Sequence, residues 1–257
     1  MRLAVPDLDV AQALAHAWRE GTAPVDGWEV VPLAEAERAL RAGLVDLAFL
    51  PTLTVLRDPE AFSVVPGVAL VGRAVPPGRL RLQGPRDRIR RVGIDPRQAQ
   101  AALLAQVVLK EHYDAEPQFV PLRPDAPVPD DLDALLLAAD APEPADGALE
   151  LDLGQEWFEL TTRPMVWALL AARVGEVEPG EARRLAEAAA AHRPASTPGI
   201  EPPADVTLGA YAHAGLDALV HYLFYAGALP DLPEVPFVVL PTDDADAEDD
   251  SAHDSDD

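Results

Sequence analysis

Short apolar segments alternate with helical segments along most of the chain, and this alternation limits the possible folds more than any other feature. Residues 3–5, 45–50 and 91–94 are apolar runs that predict strands, and helical patterns follow them. In the clearest helical pattern, residues 98–112, four aliphatic side chains recur at helical spacing. Strands that alternate with helices form α/β layers, so we predict sheets flanked by helices.

Two breaks in this pattern predict two lobes. Pro76-Pro77-Gly78 and Gly84-Pro85 interrupt the alternation, and helical segments predominate again after residue 174. We therefore predict one lobe from residues 1–80 and 174–241 and a second lobe from residues 81–173. Small polar ligands commonly bind in the cleft between two such lobes.

Charge and cysteine content exclude several functions. The formal net charge is -24, which disfavours binding to nucleic acids or anionic membranes. The last sixteen residues, 242–257, hold nine acidic and no basic side chains, and we predict that they are disordered. The absence of cysteine excludes disulfides, thiolate zinc sites and cysteine nucleophiles. No signal-peptide core or membrane span is present, so we expect a cytoplasmic protein.

Motifs for common cofactors are also missing. The six histidines are scattered without a metal-binding spacing, and neither GxGxxG nor GxxxxGK[ST] occurs, so we expect no metal and no cofactor. None of the serines lies in a GxSxG elbow. Seven arginines between residues 79 and 97 form either an anion-attracting rim or a solvated edge between the lobes.

Four segments, in order, resemble the chorismate dehydratases of the futalosine route to menaquinone. Residues 152–168 (DLGQEWFELTTRPMVWA) are similar to the family segment DLGxEWxxLTGLPFVFA, and residues 134–141 (ALLLAADA) are similar to DAxLLIGDxA. Residues 42–53 (AGLVDLAFLPTL) resemble GxxDVALIPSIEY, and residues 225–237 resemble the closing EAGLIPxxPExxF. The resemblance implies a two-lobed type II periplasmic-binding-protein-like fold, with mixed sheets and a ligand cleft between the lobes.

The resemblance also implies a reaction and a site. Chorismate, a dicarboxylate, loses water to give 3-[(1-carboxyvinyl)oxy]benzoate without a cofactor. Asp9 stands where the family has a functional Asn, and Thr52 stands where it has Ser. Residues 97–101 replace the hydroxyl-rich ESxTS segment of the family at a predicted helix start. We predict that Asp9 is catalytic and that five residues bind the substrate: Thr52, Arg97, Gln98, Gln100 and Asp140.

Two other functions remain open. The first is a cytoplasmic binding module that keeps the cleft for a small carboxylate but has lost the chemistry, because the Asn and several hydroxyls of the family are replaced. The second is the sister enzyme of the pathway, a 1,4-dihydroxy-6-naphthoate synthase. For each function we expect a monomer or a homodimer.

Overall fold

The computed structural model describes residues 1–73, 78–85, 88–123, 128–137, 149–192 and 204–240. The predicted site residue Asp140 and the predicted disordered tail, 242–257, lie outside these residues. Helices are found largely where the apolar periodicity predicts them. Within the described residues they are α1 (Asp9–Glu20), α2 (Leu33–Arg41), α3 (Thr52–Arg57), α4 (Ala99–Tyr113), α5 (Leu153–Thr161), α6 (Pro179–Ala191) and α7 (Ala210–Tyr225).

The described strands form two mixed sheets. The large sheet contains β1 (Arg2–Val5), β2 (Gly27–Val30), β3 (Leu47–Pro51), β4 (Phe62–Gly72), β10 (Val166–Arg173) and β11 (Ala204–Thr207), in the order β2-β1-β3-β10-β4-β11. The small sheet contains β5 (Arg79–Leu82), β6 (Arg91–Ile94), β7 (Gln118–Pro121), β8 (Ala134–Leu136) and β9 (Leu149–Asp152), in the order β7-β6-β8-β5-β9.

Parallel pairing brings the carboxyl ends of several strands to the same edge of each sheet. In the large sheet β1 is parallel to β2 and β3, while β10 is antiparallel to β3 and β4. In the small sheet β6 is parallel to β7 and β8. The chain passes from β3 into α3 and from β6 towards α4, so both connections begin at such an edge. In open α/β sheets this edge is where ligands bind.

The placement of β10 differs from the predicted boundaries of the lobes. Residues 81–173 were assigned to the second lobe, yet Val166–Arg173 forms a strand of the large sheet between β3 and β4. All but the last residue of this strand are buried, as expected for a strand covered on both faces. The chain therefore returns to the large sheet at β10, before the predicted boundary at residue 174.

Three strands were not predicted, and two of them, β5 and β9, explain two of the seven arginines in the arginine-rich stretch. β5 and β9 pair antiparallel with Arg81 opposite Glu150. Arg79 and Arg81 both bind the Glu150 carboxylate, at 3.3 and 2.9 Å. Arg91 forms an ion pair with Asp131 on the same lobe. Since Arg79 and Arg81 pair with Glu150 across β5 and β9, their charges stabilise the pairing of these two strands. The third strand, β11, adds to the edge of the large sheet.

The described residues include no helix that combines the length and apolarity needed to cross a membrane. The same residues contain no group of three or more histidine, aspartate or glutamate side chains placed to hold a metal ion.

Candidate functional site

A cavity of about 400 Å³ lies between the two lobes, at the carboxyl ends of β3 and β6. The large-sheet wall comes from α2, the end of β3 and α3. The small-sheet wall is the short segment Arg97–Ala101, where α4 begins, and Trp167 of β10 completes the lining. The structure therefore places three of the predicted substrate-binding residues on one cavity wall: Arg97, Gln98 and Gln100.

Gln100 joins the two lobes beside this cavity. Its side chain is buried, and both polar atoms of its amide are used. Oε1 accepts a hydrogen bond of 2.8 Å from the backbone N–H of Leu53 in α3. Nε2 donates a hydrogen bond of 2.8 Å to the backbone carbonyl of Trp167 in β10. In this structure the amide of Gln100 is therefore fully engaged by the protein itself.

Thr52 is also tied to β10 and does not line the cavity. The residue is fully buried, and its hydroxyl donates a hydrogen bond of 2.8 Å to the backbone carbonyl of Val166. Pro51 occupies the N-cap position of α3, and Thr52 is the first helical residue. The hydroxyl of Thr52 thus fixes the start of α3 to the neighbouring strand β10.

The cavity is lined by three arginines with different environments. Arg41 donates hydrogen bonds to both Asp58 (2.7 Å) and Glu37 (2.8 Å), and the hydrogen bond to Asp58 is the main cause that raises the pKa of this guanidinium. Arg97 is held by Asp95 at 2.6 Å. Arg57 is exposed and makes no ion pair within the described part of the chain. Arg57 is therefore the cation of this wall most available to an anionic ligand.

Gln98 and Asp9 differ in their relation to the cavity. Gln98 lines it, and Oε1 of its amide is buried without a hydrogen-bond partner among the described residues. A buried acceptor in this state favours a ligand that brings an N–H or O–H donor. Asp9 is exposed at the first position of α1, just after the carboxyl end of β1, and is not among the residues that line the cavity.

The DLGQEW segment stabilises the junction between α4 and α5. Asp152 caps α5 by accepting hydrogen bonds of 2.9 Å from the backbone N–H groups of Gly154 and Gln155. Burial raises the pKa of Asp152, although these two hydrogen bonds act in the opposite direction. The buried carboxylate of Glu156 accepts a hydrogen bond of 2.9 Å from the Tyr113 hydroxyl. Nδ1 of His112 lies 3.1 Å from the same Glu156 oxygen.

Sequence reasoning missed two residues, one that lines the cavity and one that packs closely against the end of β4. Trp167 lines the cavity, and its indole N–H donates a hydrogen bond of 3.0 Å to the carbonyl of Gly72 at the end of β4. Gly154 lies so close to Arg73 that an added Cβ would be 2.1 Å from its backbone oxygen. Both residues belong to the segment that resembles the family, and that resemblance is the signal that marks them.

Solved structures with the same architecture show the fold. Protein AF1704 from Archaeoglobus fulgidus is 16% identical, with a TM-score of 0.62 over 89% of this chain and 98% of that chain. The periplasmic aliphatic sulphonate binding protein SsuA from Escherichia coli is 14% identical, with a TM-score of 0.55 over 94% of this chain and 92% of that one. The alkanesulfonate-binding protein SsuA from Xanthomonas axonopodis pv. citri, bound to MOPS, is 14% identical. Its TM-score is 0.52, over 93% of this chain and 97% of that chain.

These likenesses confirm the predicted two-lobed type II fold of periplasmic binding proteins. A comparison with curated protein sequences gave no significant match. A family model described as menaquinone biosynthesis matches residues 29–217, which include the small sheet, the large sheet apart from β1 and the start of β2, and the residues that line the cavity. The match confirms the resemblance found in the sequence. The chain belongs to the menaquinone biosynthesis family.

Proposed function

We propose that the protein is a chorismate dehydratase, a hydro-lyase that converts chorismate to 3-[(1-carboxyvinyl)oxy]benzoate. The observation that carries this proposal is the cavity of about 400 Å³ between the lobes of a chain in the menaquinone biosynthesis family. The volume lies within the range of pockets that bury small ligands. The four sequence segments that resemble chorismate dehydratases supply the choice of reaction.

Local charge supports a dicarboxylate ligand even though the chain is strongly acidic. Arg57 and Arg97 lie on opposite walls of the cavity, one in α3 and the other before α4. Guanidinium groups bind carboxylates through charge-assisted hydrogen bonds, which are stronger than neutral ones. We assign one carboxylate of the substrate to Arg57 and the other to Arg97.

The reaction requires positioning more than chemical activation. A ring C–H bond breaks and its proton leaves for a base, while the adjacent C–O bond breaks and the hydroxyl leaves with its electron pair. The electrons of the C–H bond complete the aromatic ring, so no oxidant or reductant is needed. We assign Gln98 to the substrate hydroxyl, because its buried Oε1 has no partner among the described residues. The base we propose is Asp9, which follows the carboxyl end of β1.

A second candidate function is a binding module for a small carboxylate without catalysis. The observation that favours it is the state of Thr52 and Gln100, whose polar hydrogens are donated to the β10 carbonyls of Val166 and Trp167. In this alternative the cavity closes on a ligand but lacks groups that are free to assist the reaction. Turnover separates the two functions.

The first experiment incubates the purified protein with chorismate and measures the enolpyruvyl benzoate by chromatography. Formation of this product supports the dehydratase. No product, together with a rise in melting temperature on adding chorismate, supports the binding module. Neither product nor a change in melting temperature would contradict both.

Arg57→Gln tests recognition of the substrate, with Arg19→Gln as its control. Both residues are exposed arginines, but Arg19 lies in the last turn of α1, outside the cavity lining. Loss of one charge-assisted hydrogen bond worth about 1.5 kcal/mol raises KM roughly tenfold for Arg57→Gln. We expect Arg19→Gln to leave KM unchanged. An equal effect of the two substitutions would mean that Arg57 acts only through net charge.

Asp9→Ala tests the proposed base. We expect turnover to fall by about 100-fold or more, the usual contribution of a general base, while the melting temperature stays unchanged. Asp9→Asn provides the matched control, because it keeps the size of the side chain and restores the residue type of the family. Unchanged kinetics in Asp9→Ala would remove Asp9 from the site.

A further inference from the structure

The side chain of Gln100 bridges from the small-sheet lobe to two separate elements of the large-sheet lobe. Gln100 belongs to α4, whereas its partners Leu53 and Trp167 belong to α3 and β10. The side chain is only 7% exposed, and each of its hydrogen bonds measures 2.8 Å. Hydrogen bonds between buried groups resist exchange with water, since opening them leaves polar atoms unpaired until water enters.

The hydrogen bond between Leu53 and Gln100 gives the first turn of α3 an acceptor that the helix itself cannot supply. The first N–H groups of a helix have no acceptor within the helix. In α3 the N–H of Leu53 receives its acceptor from Gln100 of the other lobe. Because Leu53 and Gln100 both line the cavity, an internal amide holds the two cavity walls together.

The second hydrogen bond of Gln100, to the carbonyl of Trp167, lies beside the place where the chain crosses between the lobes. The N–H of Gly72 donates to the carbonyl of Met165 at 3.0 Å, so the end of β4 and the segment leading into β10 run side by side. The Trp167 indole N–H donates to the carbonyl of Gly72. Gln100 binds the backbone carbonyl of this same Trp167. A rotation of the small-sheet lobe about these crossings therefore has to break both hydrogen bonds of Gln100.

We propose that Gln100 is a latch that holds the cleft closed. Its amide is a positioning group that sets the separation of the two cavity walls, and it does not contact the reacting atoms. The cleft opens when both hydrogen bonds of Gln100 break. This inference concerns the conformation of the cleft and does not depend on which ligand or reaction the cleft serves.

The test measures the distance between the lobes by spin-label spectroscopy on the full chain. The protein contains no cysteine, so Leu44→Cys and Leu149→Cys provide two unique labelling positions. Leu44 lies beside the large sheet and is 59% exposed, while Leu149 lies in β9 of the small sheet and is 44% exposed. Neither residue lines the cavity. We expect one distance for the labelled parent protein without ligand, shorter than the distance in a protein whose cleft is open.

Gln100→Ala should add a second population at a longer distance, because both bridging hydrogen bonds are lost. Gln98→Ala is the matched control on the same segment, and it should keep the single short distance. If Gln100→Ala does not fold, Gln100→Met keeps most of the side-chain volume without an amide and should show the same longer population. A single short distance in both variants at Gln100 would overturn the proposal.

Chemical rescue distinguishes the latch from simple packing. Acetamide matches the part of the side chain that Gln100→Ala removes, and it supplies an acceptor for Leu53 and a donor for Trp167. Acetate supplies only the acceptor. We expect acetamide to restore the short distance and acetate not to restore it. Equal restoration by both compounds, or a longer distance in Gln98→Ala, would overturn the latch. Because no step requires turnover, its failure would leave the proposed reaction untouched.

Discussion

Replacing Gly154 with alanine should destabilise the protein, whereas the same replacement at Gly180 should stabilise it slightly. The two glycines form a matched pair, because each is the second residue of a helix, α5 or α6. A Cβ at Gly154 would lie 2.1 Å from the backbone oxygen of Arg73, while a Cβ at Gly180 meets nothing within 4 Å. The difference between the variants therefore isolates one steric contact.

The magnitude follows from two opposing contributions. Alanine in place of glycine at a compatible helical position stabilises by about 0.5–1 kcal/mol, since the unfolded chain loses freedom and the helix gains propensity. An ordinary contact requires at least 3.4 Å, so the Cβ at Gly154 falls short by more than 1 Å, against a backbone atom. Overpacking of this kind costs about 1–3 kcal/mol, so Gly154→Ala should lose about 1–2 kcal/mol overall.

Urea unfolding followed by circular dichroism measures both variants against the parent protein. We expect the free energy of unfolding to fall for Gly154→Ala and to rise by about 0.5 kcal/mol for Gly180→Ala, with unchanged m-values. In thermal unfolding the two variants should differ by roughly 3–10 °C, at about 2–4 °C per kcal/mol for a chain of this length. Equal stability of the two variants would refute the close approach of α5 to Arg73.

Two further predictions concern charge. Because burial raises the pKa of Asp152 above its ordinary value of 3.8, its contribution to stability is greatest below that value and is lost as the pH rises through the raised pKa. The free energy of unfolding of the parent relative to Asp152→Asn should therefore increase from neutral pH towards about pH 4, and a decrease would contradict the raised pKa. The net charge of -24 should make the melting temperature rise between about 0.05 M and about 1 M potassium chloride, because salt screens the repulsion. A melting temperature that falls or does not change would show that self-repulsion does not limit stability.

Much of the fold could be predicted from local patterns, because apolar periodicity reports which face of an element is buried. The observed bounds of β6 (Arg91–Ile94) agree with the predicted strand, and α4 (Ala99–Tyr113) is shifted by one residue from the predicted helix over 98–112. β5 and β9 were missed, although the residues of β5 alternate between half-buried and buried positions. The arginines of β5 were interpreted as part of either an anion-attracting rim or a solvated edge between the lobes. Their partner Glu150 lies far along the chain, so local sequence does not show that the charges are paired.

The site was harder to predict, because tertiary contacts decide what a polar side chain binds. Gln98, Gln100 and Arg97 were expected at the cleft, and the structure places all three on its wall. Their roles differ, since Gln100 is taken up by Leu53 and Trp167 while Oε1 of Gln98 has no partner among the described residues. Thr52 was expected to face the ligand, but it bonds a carbonyl 114 positions away. A helix start can be found from sequence, whereas a partner at that separation cannot.

The position of β10 determines the order in which the protein can fold on the ribosome. β10 pairs with β3 and β4 in the large sheet, yet every strand of the small sheet lies between β4 and β10 in the sequence. As the chain is synthesised from its N-terminus, β3 and β4 therefore wait with unpaired edges while the small sheet is completed. The second lobe of the sequence can thus become the first folded unit of the nascent chain, and the emergence of β10 then closes the large sheet.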